Sequence, residues 1–334
     1  MKEISERLAV KYDVEVICAD LSDGVCSEIE EINGVKVKRF RSISTKNAYF
    51  FAPQIFSYLK ESDFDIIHAH NYHAFPALFA SLAKDKKNFI FTPHYHGVGS
   101  TSFRTFLHIP YKFIGSKILN RAEKIICVSN YERDLVIKNF GREENIFVIP
   151  NGINLKEIRK VKPFEFDRNL ILYLGRLEKY KNIHLVIKAM KYLPDDFLYI
   201  GGPGSYEREL RILIRKLGLD DRVRLLGFVS EEEKYRWMNT CSLFINLSSI
   251  EAFGMNVLEA LAAGKPVIVN NEGGLKELSE KFESVFPFHV EVDEASLKKL
   301  AEMIEEIRGM EVKDYLGEYD WDNIVKRIEK VYEN

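Results

Sequence analysis

Residues 243–269 read LFINLSSIEAFGMNVLEALAAGKPVIV. Two short apolar runs, residues 243–247 and 265–269, bound a segment whose apolar residues recur at helical spacing, with Val257, Leu258 and Leu261 on one side. The pair Phe253-Gly254 marks a turn before that helix. The stretch therefore predicts a strand, a turn, a helix and a second strand, which is the repeating unit of a parallel α/β sheet.

The predicted turn and helix start have the chemistry of a ligand site. Gly254 allows close approach of the backbone, and the first free amides of a helix favour an anion such as phosphate. Glu259 lies on the same predicted helix, eight positions after Glu251. Its carboxylate would repel phosphate, so we expect it to accept hydrogen bonds from hydroxyl groups such as those of a ribose or sugar ring. The alternative is that Glu251 and Glu259 only cap the helix or oppose its dipole.

The composition excludes several classes of protein. The net charge of 334 residues is −2, which disfavours a nucleic-acid-binding protein. The four cysteines are Cys18, Cys26, Cys127 and Cys241, and no two of them form a CxxC pair, so neither a disulfide framework nor a zinc site is indicated. No apolar run reaches membrane-spanning length, and we expect a cytoplasmic protein.

Strand and helix patterns alternate along the whole chain, which predicts two Rossmann-like α/β domains facing each other across a cleft. The first domain is predicted over residues 1–155 and the second over residues 165–315. Residues 153–168 are charged, contain Pro163 and are predicted to be an irregular linker. Residues 320–332 predict a final helix with one apolar face formed by Trp321, Ile324, Val325, Ile328 and Val331.

Basic and glycine-rich segments follow the strands of the second domain. Arg176 and Lys181 come where the first strand gives way to a helix, and two cations there suit a diphosphate, although basic residues near turns are commonly just solvated. The glycine-rich turn 201–204 follows the next strand and lets a phosphate approach or simply makes a tight turn. Ser230 and Glu233 form a predicted capping box, a structural feature.

Histidines concentrate in the first domain, where six of the eight lie between His68 and His108. A metal site is not favoured, because His94 and His96 have no neighbouring carboxylate and the chain has no HExxH pattern. The segment 92–97 follows a strand, and polar side chains there are placed to contact a substrate.

Several motifs together resemble glycosyltransferase family 4. In the second half they are Gly175-Arg176-Leu177 with Lys181, Gly201-Gly202-Pro203-Gly204, Gly227-Phe228-Val229-Ser230, Glu251-Ala252-Phe253-Gly254 with Glu259-Ala260, Gly264-Lys265-Pro266-Val267 and Gly273-Gly274-Leu275-Lys276-Glu277. In the first half they are Asp65-Ile66-Ile67-His68-Ala69-His70-Asn71, Val128-Ser129-Asn130 and Val148-Ile149-Pro150-Asn151-Gly152-Ile153. The resemblance implies the GT-B fold, an acceptor-binding first domain on which the helix 320–332 packs, and a donor-binding second domain. It also implies a UDP- or GDP-linked sugar donor and retention of anomeric configuration.

The resemblance also implies roles for individual residues. Its catalytic residues are His94 on the acceptor side, Arg176 and Lys181 on the donor diphosphate, and Glu251 beside the donor sugar. Its donor-binding residues are Gly175, Gly202, Phe228, Phe253, Gly254, Met255, Asn256 and Glu259, with Glu259 on the ribose and the backbone around Phe228 on the base. No cofactor and no essential metal are expected, because protein cations stabilise the leaving diphosphate.

The sequence departs from the family at two places. Asn182 follows Lys181 where the family has glycine, which leaves the cation in place. The first strand and glycine-rich loop that precede the first helix of the family are missing, so we expect an unpaired place in the sheet. Either the true start lies upstream of Met1 or the chain is natively short.

Other interpretations stay open. A catalytically silent nucleotide- or sugar-binding partner protein and a sugar-nucleotide epimerase are alternatives to the transferase. Residues 103–117 mix aromatic and basic side chains, which indicates either peripheral contact with the cytoplasmic membrane face or a helix that packs its aromatic residues inward. The acceptor (a glycan, a lipid-linked sugar or a small molecule), the nucleotide, the sugar and the oligomeric state are left open.

Overall fold

The structure is a computed structural model that describes residues 1–20, 29–45, 48–83, 88–97 and 102–333. The chain forms two compact units. The first comprises Met1–Asn151 and Trp321–Asn334, and the second comprises Gly152–Asp320.

The first unit contains parallel strands with helices packed against them. Its strands are β1 Glu15–Asp20, β2 Ile29–Ile32, β3 Val35–Arg41, β4 Ile43–Thr45, β5 Ala48–Phe51, β6 Ile66–His70, β7 Asn88–Thr92, β8 Lys124–Cys127 and β9 Ile146–Val148. Its helices are α1 Lys2–Leu8, α2 Gln54–Glu61, α3 Phe75–Ala83, α4 Ser102–Arg121, α5 Asn130–Phe140 and, from the end of the chain, α13 Trp321–Glu333.

The parallel strands of the first unit fall into two separate sheets. One has the order β6-β7-β8-β9 and the other the order β1-β3-β2, in which β1 and β3 are parallel. Among the described residues β1 and β6 each pair on one side only, and both line a cavity of about 560 Å³ together with α1 and Tyr332. The unpaired place expected from the sequence therefore lies between β1 and β6.

The final helix packs through the face that its spacing predicts. Its five apolar residues are 6% exposed or less and form one cluster with Leu8 of α1, Ile90 of β7, Ile126 of β8 and Ile149. Burial of side chains of this size stabilises a fold by about 1.5–3 kcal/mol each, so this helix is an integral part of the first unit.

The second unit has one continuous parallel sheet. Its elements are α6 Leu155–Lys160, β10 Asn169–Leu174, α7 Ile183–Ala189, β11 Asp196–Gly201, α8 Glu207–Lys216, β12 Val223–Gly227, α9 Glu231–Thr240, β13 Leu243–Asn246, α10 Met255–Ala262, β14 Val267–Asn270, α11 Gly273–Lys281, β15 Val285–Phe288 and α12 Glu294–Ile307. The strand order is β12-β11-β10-β13-β14-β15. The chain thus builds outward from β10 in one direction and from β13 in the other, and the direction of winding reverses between these two neighbouring strands.

The predicted linker is wrong in part. Residues 155–160 form α6, in which Leu155 and Ile158 are buried, and the Asn239 side chain of α9 donates to the Ile158 carbonyl over 2.8 Å. Leu155 and Ile158, at positions i and i+3, form one buried face of this helix. The other residues of the segment are charged, so the sequence showed no clear helical pattern there.

Candidate active site

The candidate site of the second unit lies where the winding of the sheet reverses. Strands β10 and β13 are adjacent and parallel, so their carboxyl ends lie at the same edge of the sheet. Residues 175–181 follow β10 and residues 247–254 follow β13, and the reversal point is where such sheets bind ligands. The fold therefore brings together the two segments that the sequence singled out separately.

Two glycine turns cross at this edge in close backbone contact. The Gly175 amide donates to the Gly201 carbonyl over 2.9 Å, and the Leu177 amide donates to the Pro203 carbonyl over 2.9 Å. Gly202 has φ +124°, and a Cβ atom on it would lie 2.1 Å from the carbonyl oxygen of Gly175. Only glycine fits there, so the turn 201–204 has a structural requirement for glycine independent of any phosphate.

Lys181 and Glu251 form an ion pair at the carboxyl ends of β10 and β13. Lys181 Nζ lies 2.7 Å from Glu251 Oε2, and the two side chains are 13% and 25% exposed. Arg176 is exposed on the same segment as Lys181, and its carbonyl accepts a 3.0 Å hydrogen bond from the Tyr173 hydroxyl. This edge of the sheet thus carries one paired and one exposed cation, the kind of charge that binds phosphate groups.

The helix α10 starts as predicted, with Gly254 as its N-cap at φ +101° and Met255 38% exposed. The Phe253 ring, by contrast, is buried. The Asn256 side chain donates to the Leu174 carbonyl over 3.0 Å and accepts from Asn246 over 3.0 Å. The side chains of Phe253 and Asn256 are therefore engaged within the protein.

Glu259 is buried at 6% exposure and paired with a residue that the sequence did not point to. Lys234 of α9 places its Nζ 2.7 Å from Glu259 Oε1. Burial raises the pKa of Glu259, while Lys234 lowers it. Among the described residues Glu259 Oε2 has no protein donor, so a carboxylate oxygen remains for a hydroxyl ligand.

Phe228 follows β12 and is 81% exposed. The preceding Gly227 accepts a 2.7 Å hydrogen bond from the Gly202 amide, which ties this turn to the glycine turn next to it. An exposed aromatic ring on a fixed backbone is suited to stacking on a planar base.

In the first unit three histidines lie together at the ends of β6 and β7. His68 bonds through Nδ1 to the Tyr332 hydroxyl over 2.7 Å and through Nε2 to Thr92 Oγ1 over 2.8 Å. His70 Nδ1 lies 3.4 Å from His94 Nε2, and the two rings stack with centroids 5.7 Å apart. His94, the predicted acceptor-side residue, has the left-handed backbone angle φ 49°.

The environment keeps these histidines neutral. Burial lowers the pKa of His68 to about 3 and that of His94 to about 4, and it lowers the pKa of His70 well below its ordinary value. A neutral imidazole accepts as well as donates hydrogen bonds, so His94 can bind a hydroxyl at neutral pH. No group of three or more metal-ligating side chains of suitable geometry occurs within the described ranges.

A buried carboxylate that sequence reasoning missed lies behind the His94 segment. Glu132 of α5 is fully buried, and its Oε2 accepts from the Val128 amide over 2.6 Å while its Oε1 accepts from the Tyr95 amide. Ser129, three residues before Glu132, is the N-cap of α5. The Ser-x-x-Glu spacing is visible in the sequence, but the hydrogen bond from the Tyr95 amide to Glu132 is not.

The segment 103–117 lies within the helix α4, of which the side chains of residues 102–110 lie outside the described set, as does Cys26. Tyr111 is buried, whereas Phe113 is 80% exposed. None of the helices described here has the length and apolar character needed to span a membrane.

Comparison with known proteins assigns the two parts of the chain to glycosyltransferase families. Residues 154–320 match the family described as Glycosyl transferases group 1, and residues 1–157 match Glycosyltransferase Family 4. An uncharacterized glycosyltransferase of Methanocaldococcus jannaschii is 29% identical over 305 residues, which is 89% of this chain and 82% of that protein.

Solved structures share the fold over nearly the whole chain. Sucrose-phosphate synthase from Thermosynechococcus elongatus has a TM-score of 0.76 at 18% identity, covering 99% of this chain and 91% of that one. Anabaena HepE, solved with UDP and glucose, has a TM-score of 0.78 at 18% identity, covering 99% and 94% of the two chains. The chain therefore has the GT-B fold and belongs to the glycosyl transferases of group 1.

Proposed function

We propose that this glycosyltransferase moves a hexose from a UDP- or GDP-linked donor to a hydroxyl-bearing acceptor, with retention of anomeric configuration. The observation that carries the proposal is the Lys181–Glu251 pair, with 2.7 Å between Nζ and Oε2, at the reversal point of the second sheet. A cation and a carboxylate held together there match the two charges that develop when a sugar leaves a diphosphate, namely negative on the phosphate and positive on the anomeric carbon.

The diphosphate binds to Lys181 and Arg176, with the first amides of α10 after Gly254 as further donors. Lys181 is the more buried of the two cations, and its ion pair with Glu251 already fixes its side chain. The side chain therefore loses little conformational entropy when phosphate binds. These groups supply the positive charge that a metal ion supplies in other phosphate-binding sites, and the proposal therefore includes no cofactor.

The nucleoside binds beside the diphosphate. Glu259 accepts hydrogen bonds from the ribose hydroxyls through Oε2, and Lys234 fixes the carboxylate through Oε1. Phe228 and its neighbouring backbone contact the base. Glycine at positions 175 and 202 lets the main chain run beside the donor without a side chain in between.

In the proposed reaction the bond between the anomeric carbon and the phosphate oxygen breaks as the acceptor oxygen bonds to the same face of that carbon. The acceptor proton passes to the leaving phosphate oxygen, which Lys181 and Arg176 stabilise. Glu251 stabilises the positive charge on the sugar, and His94 binds a hydroxyl on the acceptor side.

The comparisons support a nucleotide-sugar donor. HepE, which shares the fold, is described in complexes with UDP and with UDP-glucose. A cytoplasmic location stays a prediction. Phe113 on α4 is exposed, so peripheral membrane contact through this helix stays a prediction.

The test is turnover of UDP-glucose and GDP-mannose by the whole protein, followed as release of nucleoside diphosphate with and without a chelator. We expect release from at least one donor, unchanged by the chelator, and a loss of about 100-fold in Lys181→Ala. Lys179→Ala is the matched control, because Lys179 is an exposed lysine of the same turn. Nucleotide binding without turnover of any donor supports the silent binding protein, and interconversion of the donor sugar supports the epimerase.

A further inference from the structure

Glu132 combines full burial with two main-chain hydrogen bonds to other elements. It lies in the first turn of α5, where its own amide donates to the Ser129 side chain over 3.0 Å. Its carboxylate accepts from Val128, which follows β8, and from Tyr95, which follows β7. One carboxylate therefore connects the helix start to the segments that end two neighbouring strands.

Helix capping does not account for this arrangement. In a capping box the carboxylate returns to the amide of its own N-cap, as Glu233 does in α9, where it accepts from the Ser230 amide over 3.0 Å at the protein surface. Glu132 occupies the same helix position relative to Ser129 but extends past the N-cap to Val128 and Tyr95. The carboxylate of Glu132 thus accepts a hydrogen bond from the segment after β7 in addition to its place at the start of the helix.

The segment that Glu132 holds contains His94. Tyr95, whose amide Glu132 accepts from, directly follows His94, and His94 has the left-handed angle φ 49°. A non-glycine residue adopts such a conformation only where its surroundings enforce it. The ring of His94 is held from the other side by its contact with His70.

We propose that Glu132 is a positioning residue for His94: its ionised carboxylate fixes the backbone after His94 and so the placement of the imidazole toward the acceptor. The inference rests on the proposed function for the acceptor-side role of His94. The Glu132 contact to the His94 segment can be tested separately from that role.

The protonation state of Glu132 determines how many backbone amides can donate a hydrogen bond to its carboxyl group. Burial raises the pKa of Glu132 to about 7. Among the described residues the Cys127 thiol at the end of β8 interacts electrostatically with Glu132, and the neighbouring Arg133 and Asp134 on α5 bond to each other. A protonated carboxyl has one oxygen that carries hydrogen and no longer accepts from the facing amide, so the hold on Tyr95 or Val128 weakens as pH falls through 7.

The first measurement is NMR titration of the His94 ring in the wild type and in Glu132→Gln, which has a single acceptor oxygen at every pH. In the wild type the His94 signals should shift in a step near pH 7, as Glu132 gains its proton, and again near pH 4, where His94 itself titrates. In Glu132→Gln the step near pH 7 should vanish. Glu233→Gln, a change at the same helix position in α9, should leave both steps in place.

The second measurement is the pH dependence of donor turnover. The wild type should gain activity as pH rises through 7, whereas Glu132→Gln should be about 10- to 100-fold less active at pH 8, with unchanged affinity for UDP and without this rise. An effect on UDP affinity, or a variant with wild-type turnover and a wild-type His94 titration, contradicts the positioning role. Should Glu132→Gln not fold, the wild-type titration decides: the absence of a His94 step near pH 7 overturns the inference.

The two measurements separate the inference from the proposed function. A His94 step that depends on Glu132, in a protein that turns over no donor, supports the structural connection and contradicts the function. Donor turnover with no such step supports the function and contradicts the inference.

Discussion

Lys181 Nζ lies 2.7 Å from Glu251 Oε2, although the two residues are 70 positions apart in the chain. They meet because Lys181 follows β10 and Glu251 follows β13, and these two strands are neighbours in the sheet. Each partner fixes the other, and truncating either one leaves a half-buried charge without its counter-charge.

Replacing Glu251 by Gln should separate binding from chemistry. The change frees Lys181 from its carboxylate, so we expect the affinity for UDP to stay equal or to rise. Turnover of the donor should fall by about 10²- to 10³-fold, because the charge that develops on the sugar loses its carboxylate. Calorimetric titration with UDP and the rate of nucleotide release measure the two effects.

A parallel loss of UDP affinity and turnover in Glu251→Gln would contradict this role and would make Glu251 a structural partner of Lys181. Glu178→Gln is a control, because Glu178 belongs to the same turn as Lys181 and bonds to Ser205.

Replacing Glu259 by Gln tests the ribose contact. We expect UDP affinity to fall by about 10- to 100-fold, which corresponds to the roughly 1.5–3 kcal/mol of a hydrogen bond to a charged group. A UDP analogue that lacks both ribose hydroxyls should bind wild type and variant equally. An equal loss for both nucleotides would contradict the contact, and Glu232→Gln, an exposed change on α9, should alter neither affinity.

Replacing Gly202 by Ala should destabilise the second unit. The added Cβ would lie 2.1 Å from the Gly175 carbonyl oxygen at a φ of +124°, so the two turns have to separate. Steric overpacking and backbone strain together predict a loss of about 2–4 kcal/mol in the free energy of unfolding. Gly218→Ala, at φ +64° with open space around it, should cost only about 1 kcal/mol. Urea unfolding measures both, and equal losses would contradict the close crossing.

Replacing His68 by Gln should change how stability depends on pH. Burial lowers the pKa of His68 to about 3, so the folded protein keeps this ring neutral while the unfolded chain binds a proton below its ordinary value of 6.5. The stability that His68 contributes is therefore present above pH 6.5 and is lost as pH falls from there toward 3. One proton bound on unfolding corresponds to about 1.4 kcal/mol per pH unit.

We expect His68→Gln to be less stable than wild type at pH 7.5, since it loses the bonds to Tyr332 and Thr92, and the two proteins to converge as the pH falls. Trp321 fluorescence in a Trp237→Phe background reports unfolding of the first unit. His289→Gln, at an exposed position, is the control. The pH role of His68 would be contradicted if the free energies of unfolding of the wild type and His68→Gln stay parallel between pH 7.5 and 4.

The fold was largely predictable because its signals are local. The turn at Gly254, the helix that follows it and the two flanking strands are each encoded by residues within one short stretch, and they occur where predicted. The helix α6 was missed because its apolar face consists of only two residues, Leu155 and Ile158, whose burial depends on the distant α9 and α10.

The candidate site was predictable only where each residue carries its own signal. Lys181, Glu251 and Glu259 could be singled out from their positions after strands or on a helix. Their partners could not, since Lys234 meets Glu259 from another helix and Glu132 meets Tyr95 from 37 positions away. Such pairs arise from the packing of elements, which one sequence does not display.

In the proposed reaction the second unit binds a nucleotide sugar and the chain transfers the sugar with retention. The most direct measurement is an NMR time course of UDP-glucose and GDP-mannose with the whole protein, in which water is the acceptor and the anomer of the released sugar is observed before it mutarotates. We expect nucleoside diphosphate together with the α-anomer, with turnover reduced about 100-fold in Lys181→Ala and preserved in Lys179→Ala. Release of the β-anomer, or equal turnover in the two lysine variants, would contradict it.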